Sequence, residues 1–320
     1  MSARSGLNPG LWFEDAGKLR ELEGRLLRLW EGRGFREVIP PLLLPCEPAQ
    51  TASPQAVVQR TLRVPVNGDG QLALRSDFTA GVAWMVARRS ASLSGPLRVS
   101  YSGCVLRRPT PDRPEGMETL QAGCERIAPE GAGEGDGEMV YLAAESLAAL
   151  DLEAAILELG HWGLVGPLLD QIPWPSGARE ALESAINRKS VPAVEDLAGR
   201  HGRTPEVDLL KDLLHLGGRP EAVDALSPRL REAGVLTVWE ELRAMGALTA
   251  RDFPGVVVRL EPTDIRHWSY YTGITLKAFA PSQPYAVLSG GRYDGLYPSL
   301  GRPFGAFGFA VHMGRLLEGA

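Results

Sequence analysis

Arg107, Gln121 and Glu125 lie on two strand-like runs that flank a loop rich in proline and charged residues. Residues 99–127 therefore predict a long antiparallel hairpin. Because side chains alternate between the faces of a strand, Arg107 shares a face with Tyr101, and Gln121 shares one with Glu125. A cation, an amide and a carboxylate on one surface suit a zwitterion that also carries an amine or a hydrogen-bonding ring. The competing interpretation is an exposed polar face, which half-solvated antiparallel sheets commonly have.

A second group of candidate binding residues lies in the stretch DIRHWSYYTGIT, residues 264–275. It places the cation of Arg266 next to Tyr270 and Tyr271 on a connection that contains glycine. Tyrosine offers both a flat face and a hydroxyl, so the stretch predicts one wall of a binding site. Packing of the aromatic rings on the surface is the alternative.

Two more stretches carry single candidates. In SGGRYDGL, residues 289–296, two glycines after a predicted strand allow a ligand or another backbone to approach closely, and Arg292, Tyr293 and Asp294 follow at once. In RSDFTA, Asp77 precedes a predicted helix and is followed by Thr79. An aspartate there either contributes to a site or caps the helix.

Composition and the remaining motifs narrow the functional classes. A net charge of −5 and a pI near 5.7 argue against a protein whose whole surface binds nucleic acid. Three cysteines without a CxxC pair predict neither a disulfide framework nor a metal site. Signatures of the common hydrolases and NTPases are absent, and His267 and His312 are expected to be structural or exposed.

Targeting signals are not recognised either. The first ten residues are short and polar, and no apolar run approaches the roughly 20 residues that span a bilayer. A cytoplasmic protein without a membrane partner is therefore expected.

Hydrophobic periodicity places these candidates on a mixed set of elements. Helices are predicted at 14–33, after Asp77 to about residue 90, at 138–150 and at 309–317. Strands are predicted within 35–44, where Pro40-Pro41 favours a sheet edge, within 59–74 as a hairpin, and at 97–107, 118–127, 152–159, 256–261, 271–279 and 285–288. The segment 164–252 is predicted to be helical, and residues 228–245 to form one of its helices.

The order of the motifs is more specific than any single one. LRSDFTA, LQAGCE, RHWSYYTG, SGGRYDGL and GFAVHMGRL together resemble the catalytic domain of histidyl-tRNA synthetases. The resemblance implies an α+β fold, a class II aminoacyl-tRNA synthetase-like antiparallel sheet flanked by helices. That domain would comprise residues 1–163 and 253–320, interrupted by a helical insertion at 164–252, with no anticodon-binding domain after it.

The resemblance also implies a pocket for histidine and no metal or cofactor. Asp77, in place of a longer glutamate, Thr79 and Gln121 match positions that hold the amino group. Glu125 and Tyr271 match those that hold the imidazole, Arg107 and Arg266 those that meet the carboxylate, and Tyr293 lies at the remaining wall. Tyr270 joins these histidine-binding candidates because it stands next to Tyr271. Pro41 matches the proline of the dimer-forming first class II motif, and Arg107 and Arg315 match the arginines of the second and third motifs.

Departures from the synthetase pattern concern ATP and tRNA. Arg107 is followed by Arg108, Pro109 and Thr110 instead of the Tyr-Glu that precedes the ATP loop, and His312 replaces a small glycine of the third motif. This pattern is similar to the regulatory-subunit family of ATP phosphoribosyltransferase. Membership implies a non-catalytic protein of histidine biosynthesis that partners a short catalytic subunit, allows feedback inhibition by histidine, and forms a homodimer within a hetero-oligomer without tRNA.

Two alternatives remain open at this level. A truncated synthetase-like enzyme that forms histidyl-adenylate is favoured by three cations, Arg107, Arg266 and Arg315, and disfavoured by Pro109 and His312. A small-molecule binding protein without a phosphoribosyltransferase partner is the other.

Overall fold

The computed structural model describes residues 10–46, 55–66, 70–89, 95–109, 116–129, 135–152, 154–217, 219–264, 270–281 and 283–317. Its strands are Arg36–Glu37 (β1), Leu43–Pro45 (β2), Arg63–Pro65 (β3), Gln71–Leu74 (β4), Leu97–Leu106 (β5), Glu118–Ala128 (β6), Ala155–His161 (β7), Val256–Leu260 (β8), Ile274–Phe279 (β9), Leu288–Arg292 (β10) and Gly305–His312 (β11). Its helices are Phe13–Gly32 (α1), Gln55–Val58 (α2), Phe78–Arg89 (α3), Asp136–Ala149 (α4), Trp162–Gln171 (α5), Ser176–Asn187 (α6), Val191–His201 (α7), Pro205–Leu216 (α8), Pro220–Asp224 (α9), Ser227–Glu232 (α10), Leu236–Asp252 (α11), Leu296–Ser299 (α12) and Met313–Leu317 (α13).

An eight-stranded sheet in the order β1-β5-β6-β11-β10-β9-β7-β8 forms the centre of the protein, and β2, β4 and β3 form a small second sheet. The large sheet is antiparallel except at its two edges, where β1 runs parallel to β5 and β8 runs parallel to β7. The predicted α+β architecture, an antiparallel sheet flanked by helices, is therefore confirmed, with these two parallel pairs added.

The hairpin β5–β6 has the predicted extent and face pattern. Tyr101 pairs with Gly123, and the Tyr101 hydroxyl reaches Glu125 on the same face. Cys124 is fully buried on the opposite face, in a core to which α1 and α4 contribute Trp30 and Leu147. One face of the hairpin thus packs against helices, and the other is left for the candidate polar residues.

The carboxyl-terminal prediction is wrong in part. Residues 309–312 belong to β11, and the helix begins only at Met313. β11 lies between β6 and β10 and makes ladder hydrogen bonds to both, so two neighbouring strands fix its extended backbone. Gly308 permits this packing, because a Cβ atom there would lie 2.6 Å from Cγ of Glu125 on β6.

The prediction for β10 is also displaced. Tyr285 lies outside the strand, which begins at Leu288 and continues through both glycines to Arg292. A Cβ atom at Gly290 would lie 2.3 Å from the carbonyl oxygen of Gly308. The glycines therefore act inside the sheet, by allowing close approach between strands, and not in a loop after it.

The segment between β7 and β8 is helical, as predicted, and holds α5 to α11. The single helix predicted at 228–245 is wrong, because α10 ends at Glu232, Gly234 has a φ of 75°, and α11 begins at Leu236. Apolar residues of this segment, such as Leu213 and Trp239, belong to one core with the sheet. Its boundaries as a separate insertion stay a prediction.

None of the helices in the described ranges combines the length and the apolar character needed to cross a lipid bilayer.

Candidate functional site

A cavity of about 280 Å³ lies on the face of the large sheet that carries Tyr101 and Gln121. Seven of the nine predicted histidine-binding residues line it: Asp77, Thr79, Arg107, Gln121, Tyr270, Tyr271 and Tyr293. Glu125 is fully buried and hydrogen-bonded to Thr79 of the cavity wall. Arg266 lies outside the described residues. The structure thus brings together residues from four separate stretches of the chain.

Glu125 is a buried carboxylate in which one oxygen accepts hydrogen bonds and the other does not. Its Oε1 accepts hydrogen bonds from Thr79 Oγ1 at 2.7 Å and from the Tyr101 hydroxyl at 3.2 Å. Its Oε2 has no hydrogen-bond partner among the described residues. A buried acceptor without a partner costs about 1–3 kcal/mol, so a ligand donor at Oε2 would be strongly favoured.

Burial also changes the protonation of this carboxyl. Loss of water raises the pKa of Glu125 from 4.5 to about 7, although the hydroxyls of Thr79, Tyr293 and Tyr101 lower it. Tyr293 lies close enough to have this effect, but its hydroxyl does not meet the distance and angle of a hydrogen bond. Glu125 therefore changes charge near neutral pH and responds to any donor or cation that enters.

Tyr101 is fixed from behind by a stack that starts at Arg75. Arg75 lies 4.1 Å from the ring centre of Phe78, and the Phe78 ring stacks on Tyr101 with 4.4 Å between centres. The Arg75 guanidinium donates to the carbonyl oxygens of Pro40, at 2.6 Å, and Cys104, at 2.7 Å. A continuous path of contacts thus joins the segment around Pro40 to Glu125. Tyr101 was not among the predicted site residues, although face alternation had placed it on the polar face.

Three phenol rings form an aromatic wall. Tyr270 stacks on Tyr293 with 5.2 Å between ring centres, and it meets Tyr271 edge to face at the same distance. Burial raises the pKa of all three phenols, so each keeps its proton at neutral pH. The Tyr293 hydroxyl is buried and has no hydrogen-bond partner in the described part of the chain. The wall offers flat faces for a planar ring and one uncommitted hydroxyl.

Asp77 caps a helix and also lines the cavity. Its Oδ1 accepts a hydrogen bond of 2.9 Å from the backbone N–H of Ala80 in the first turn of α3, and its side chain lines the cavity. Because an aspartate that caps a helix is held in one rotamer, the cap also fixes the direction of this charge.

Arg107 follows the end of β5 and is nearly buried. Its Nε donates to the carbonyl oxygen of Ser76, next to Asp77, and its backbone N–H donates to Met117 at 2.8 Å. These bonds anchor the guanidinium at the cavity wall, where its charge suits a ligand carboxylate.

Gln121 contacts a residue that sequence reasoning had set aside. Its Nε2 lies 3.1 Å from Nδ1 of His312, and Nε2 of the same ring lies 3.1 Å from Ser289 Oγ. His312 is only 6% exposed, lines the cavity and stands opposite Gln121 in the β6–β11 register. The signal that could have found it was strand pairing between distant segments, which the predicted helix at 309–317 obscured.

At the opposite end of the cavity, two cationic side chains contact other groups of the protein. Lys277 forms an ion pair with Asp264 whose side chains are 15% and 6% exposed. The Arg315 guanidinium donates to the carbonyl oxygen of Ala286 and lies 5.6 Å from the ring centre of Tyr285. Both cations therefore have contacts within the chain at this end of the cavity.

The charged neighbours of Tyr293 are structural. Arg292 donates from Nε to Asp136 at 2.6 Å and from Nη1 to Asp294 at 3.0 Å. Asp136 lies in the first turn of α4, so the arginine joins that helix to β10. Only the middle residue of the Arg-Tyr-Asp triplet faces the cavity. Among the described residues, no cluster of His, Cys, Asp and Glu could hold a metal ion.

Comparison with known proteins shows which family the chain resembles. The family model for histidyl-tRNA synthetases matches residues 11–316. The ATP phosphoribosyltransferase regulatory subunit of Moorella thermoacetica is 33% identical over 306 residues, 95% of this chain and 78% of that protein. The structure of an ATP phosphoribosyltransferase regulatory subunit/histidyl-tRNA synthetase from Bacillus halodurans matches with a TM-score of 0.86 at 25% identity, over 99% of this chain and 83% of that one.

A fourth match shows the fold alone. A chain of the ATP phosphoribosyltransferase (HisG:HisZ) complex from Thermotoga maritima is 20% identical with a TM-score of 0.68, over 94% of this chain and 98% of that one. The extent of the first three matches decides the assignment. The chain belongs to the family of ATP phosphoribosyltransferase regulatory subunits, which is built on the fold of histidyl-tRNA synthetases.

Proposed function

We propose that this regulatory subunit binds free histidine in the cavity next to Glu125 and passes its occupancy to the catalytic subunit of ATP phosphoribosyltransferase. The observation that carries the proposal is the buried Glu125 carboxyl, which lies near the aromatic wall. Its Oε2 has no hydrogen-bond partner in the described part of the chain. An imidazole N–H supplies the missing donor, and a flat imidazole ring suits packing against the aromatic wall.

The remaining charges suit the other two groups of histidine. Asp77, Thr79 and the Gln121 amide oxygen supply acceptors for an ammonium group. Arg107 supplies a cation for the carboxylate, and Arg266 is the second cation in the proposal. The cavity of about 280 Å³ is of the size of a free amino acid with a few waters.

The competing function is an enzyme that forms histidyl-adenylate. Such a site needs cations for the phosphates of ATP. Lys277 is instead paired with a carboxylate of the chain itself, and His312 stands where the resemblance to the synthetases places a small glycine. The proposal therefore includes neither adenylation nor a tRNA partner.

The partner in the proposal is the short catalytic subunit. The family name of the relatives and the Thermotoga maritima complex support it. Histidine could change the partner's activity only by binding two states of the complex with different affinity. A coupling of about 1–3 kcal/mol is the usual scale, so a modest preference would suffice.

A homodimer is also part of the proposal. Ile39, Leu42 and Leu43 are 87%, 47% and 45% exposed next to the edge strand β1, a concentration of apolar surface that suits a protein interface. The carbonyl oxygen of Pro40 in the same segment accepts a hydrogen bond of 2.6 Å from Arg75, which places this edge next to the stack behind Tyr101. Leu43→Asp is expected to turn a dimer into a monomer in sedimentation analysis, whereas a monomeric parent chain would contradict this part.

All three cysteines are free thiols, as expected for a protein that works in the cytoplasm.

Calorimetry and two activity assays test the function. The chain is expected to bind histidine with micromolar-class affinity, to show no histidine-dependent ATP–pyrophosphate exchange, and to restore activity when mixed with a short catalytic subunit. Exchange activity that Arg107→Ala abolishes would favour the adenylating enzyme. Restored activity without any histidine binding would leave the family role intact and remove the histidine-sensing role of this cavity.

A further inference from the structure

His312 makes two hydrogen bonds that use both ring nitrogens. Gln121 Nε2 lies 3.1 Å from Nδ1, and Ser289 Oγ lies 3.1 Å from Nε2. The ring is nearly buried in the cavity wall, between the neighbouring strands β6 and β10. Three strands therefore hold one side chain in a fixed place.

The chemistry of the pair fixes the direction of the Gln121 amide. An amide NH₂ group can only donate, so a nitrogen that faces it must be an unprotonated acceptor. Nδ1 of His312 is that acceptor, and the ring proton then lies on Nε2 and is donated to Ser289 Oγ. With its NH₂ group directed at the ring, the amide turns its oxygen away from His312.

We propose that His312 is a positioning residue that holds the Gln121 amide with its oxygen toward the ligand's ammonium group. This inference rests on the proposed binding of histidine. An ammonium group has three donors and no acceptor, so an amide oxygen stabilises it and an amide NH₂ group repels it. Without the ring, the amide is free to rotate by half a turn and present either group.

Selectivity for an α-amine follows from this arrangement. Asp77 and Thr79 supply acceptors in the same cavity, although Asp77 also caps the helix with one oxygen and Thr79 donates its proton to Glu125. The Gln121 oxygen is a further acceptor for the amine, and its direction is the one that depends on His312. Ligands with an ammonium group should feel the loss of His312, and ligands without one should not.

Two substitutions at His312 separate its acceptor from its bulk. His312→Phe keeps a flat ring without an acceptor, and we expect histidine to bind about ten- to a hundredfold more weakly, the usual effect of a lost hydrogen bond to a charged group. His312→Asn keeps an oxygen near the position of Nδ1 and should restore affinity to within about threefold of the parent. Imidazolepropionate, which lacks the amine, should bind the parent and the Phe variant equally.

The coupling to Gln121 provides a second test. In the Gln121→Ala background, His312→Phe should cause no further loss of histidine affinity, since the group that it positions is gone. Equal histidine affinity of the parent and His312→Phe, or equal losses for histidine and imidazolepropionate, would overturn the inference while leaving histidine binding established. A parent chain that binds no histidine would overturn the proposed function and this inference with it.

A spectroscopic measurement needs no variant. Nitrogen NMR of the parent chain with ¹⁵N-labelled histidine residues should show Nδ1 of His312 unprotonated and Nε2 protonated. A proton on Nδ1 would require the Gln121 oxygen to face the ring, and that result would overturn the inference even if His312→Phe fails to fold.

Discussion

The two ends of the cavity treat buried charge in opposite ways. At one end, Glu125 and Tyr293 each keep a buried oxygen without a partner among the described residues. At the other end, Lys277 is paired with Asp264, and Arg315 donates to the backbone at Ala286. An unpaired buried group raises the free energy of the empty protein and is relieved by a ligand, whereas a paired group has little to gain from one. The difference supports the proposal that histidine binds at the end of the cavity next to Glu125, called the ligand end; the end with Lys277 and Arg315 is called the self-paired end.

The largest expected effect concerns the self-paired end. Lys277→Met would remove the cation that is paired with the buried Asp264 carboxylate, and removing one partner of a buried pair destabilises by about 3–5 kcal/mol. Urea unfolding should show this loss, and Asp264→Asn in the same chain should recover most of it. If the comparison holds, histidine affinity changes by less than about threefold in any variant that stays folded. A large loss of histidine affinity in these variants would mean that the ligand also contacts the Lys277–Asp264 end of the cavity.

The second effect concerns pH and the ligand end. The pKa of Glu125 is about 7 in the folded chain against an ordinary 4.5. Between these values the folded state keeps a proton that the unfolded state has released, so the free energy of unfolding falls as the pH rises. The difference of about 2.5 pKa units corresponds to about 3 kcal/mol, present below pH 4.5 and lost above pH 7.

Glu125→Gln removes this titration and isolates it from all others. The unfolding free energy of the parent minus that of the variant should therefore fall by about 3 kcal/mol between pH 4.5 and pH 8, as measured by urea titration at both values. Saturating histidine should return much of the parent's stability at pH 8. A pH-independent difference would mean that Glu125 is better compensated than its geometry indicates.

The same variant weakens binding. Glu125→Gln replaces the acceptor Oε2 by either an amide oxygen or an NH₂ group, and we expect histidine to bind about thirty- to a hundredfold more weakly in calorimetry. Glu118→Gln is the matched control, because Glu118 is exposed on the same strand and does not line the cavity. Equal losses in both variants would point to a general charge effect and not to a specific contact.

The sequence predicted the residues at the Glu125 end of the cavity better than those at the Lys277 end. Period-two alternation along β5 and β6 placed Gln121 and Glu125 on one face, because that rule depends only on neighbours within a strand. His312 was missed because β11 becomes a strand only through pairing with β6 and β10, which lie far away in the chain. The Lys277–Asp264 pair likewise depends on tertiary packing that no local pattern reveals.

The smallest effect separates a ligand contact from mere burial. Tyr293 and Tyr297 both carry a buried hydroxyl without a hydrogen-bond partner in the described chain, but only Tyr293 lines the cavity. Changing either to Phe removes no hydrogen bond of the empty protein, so urea unfolding should shift by less than about 0.5 kcal/mol for both. Tyr293→Phe alone should weaken histidine binding, by about fivefold, since its hydroxyl forms a full hydrogen bond only with the ligand. Equal histidine affinities for the two variants would mean that the Tyr293 hydroxyl does not contact the ligand. Of the two unpartnered oxygens, only Glu125 Oε2 would then remain as a proposed ligand contact.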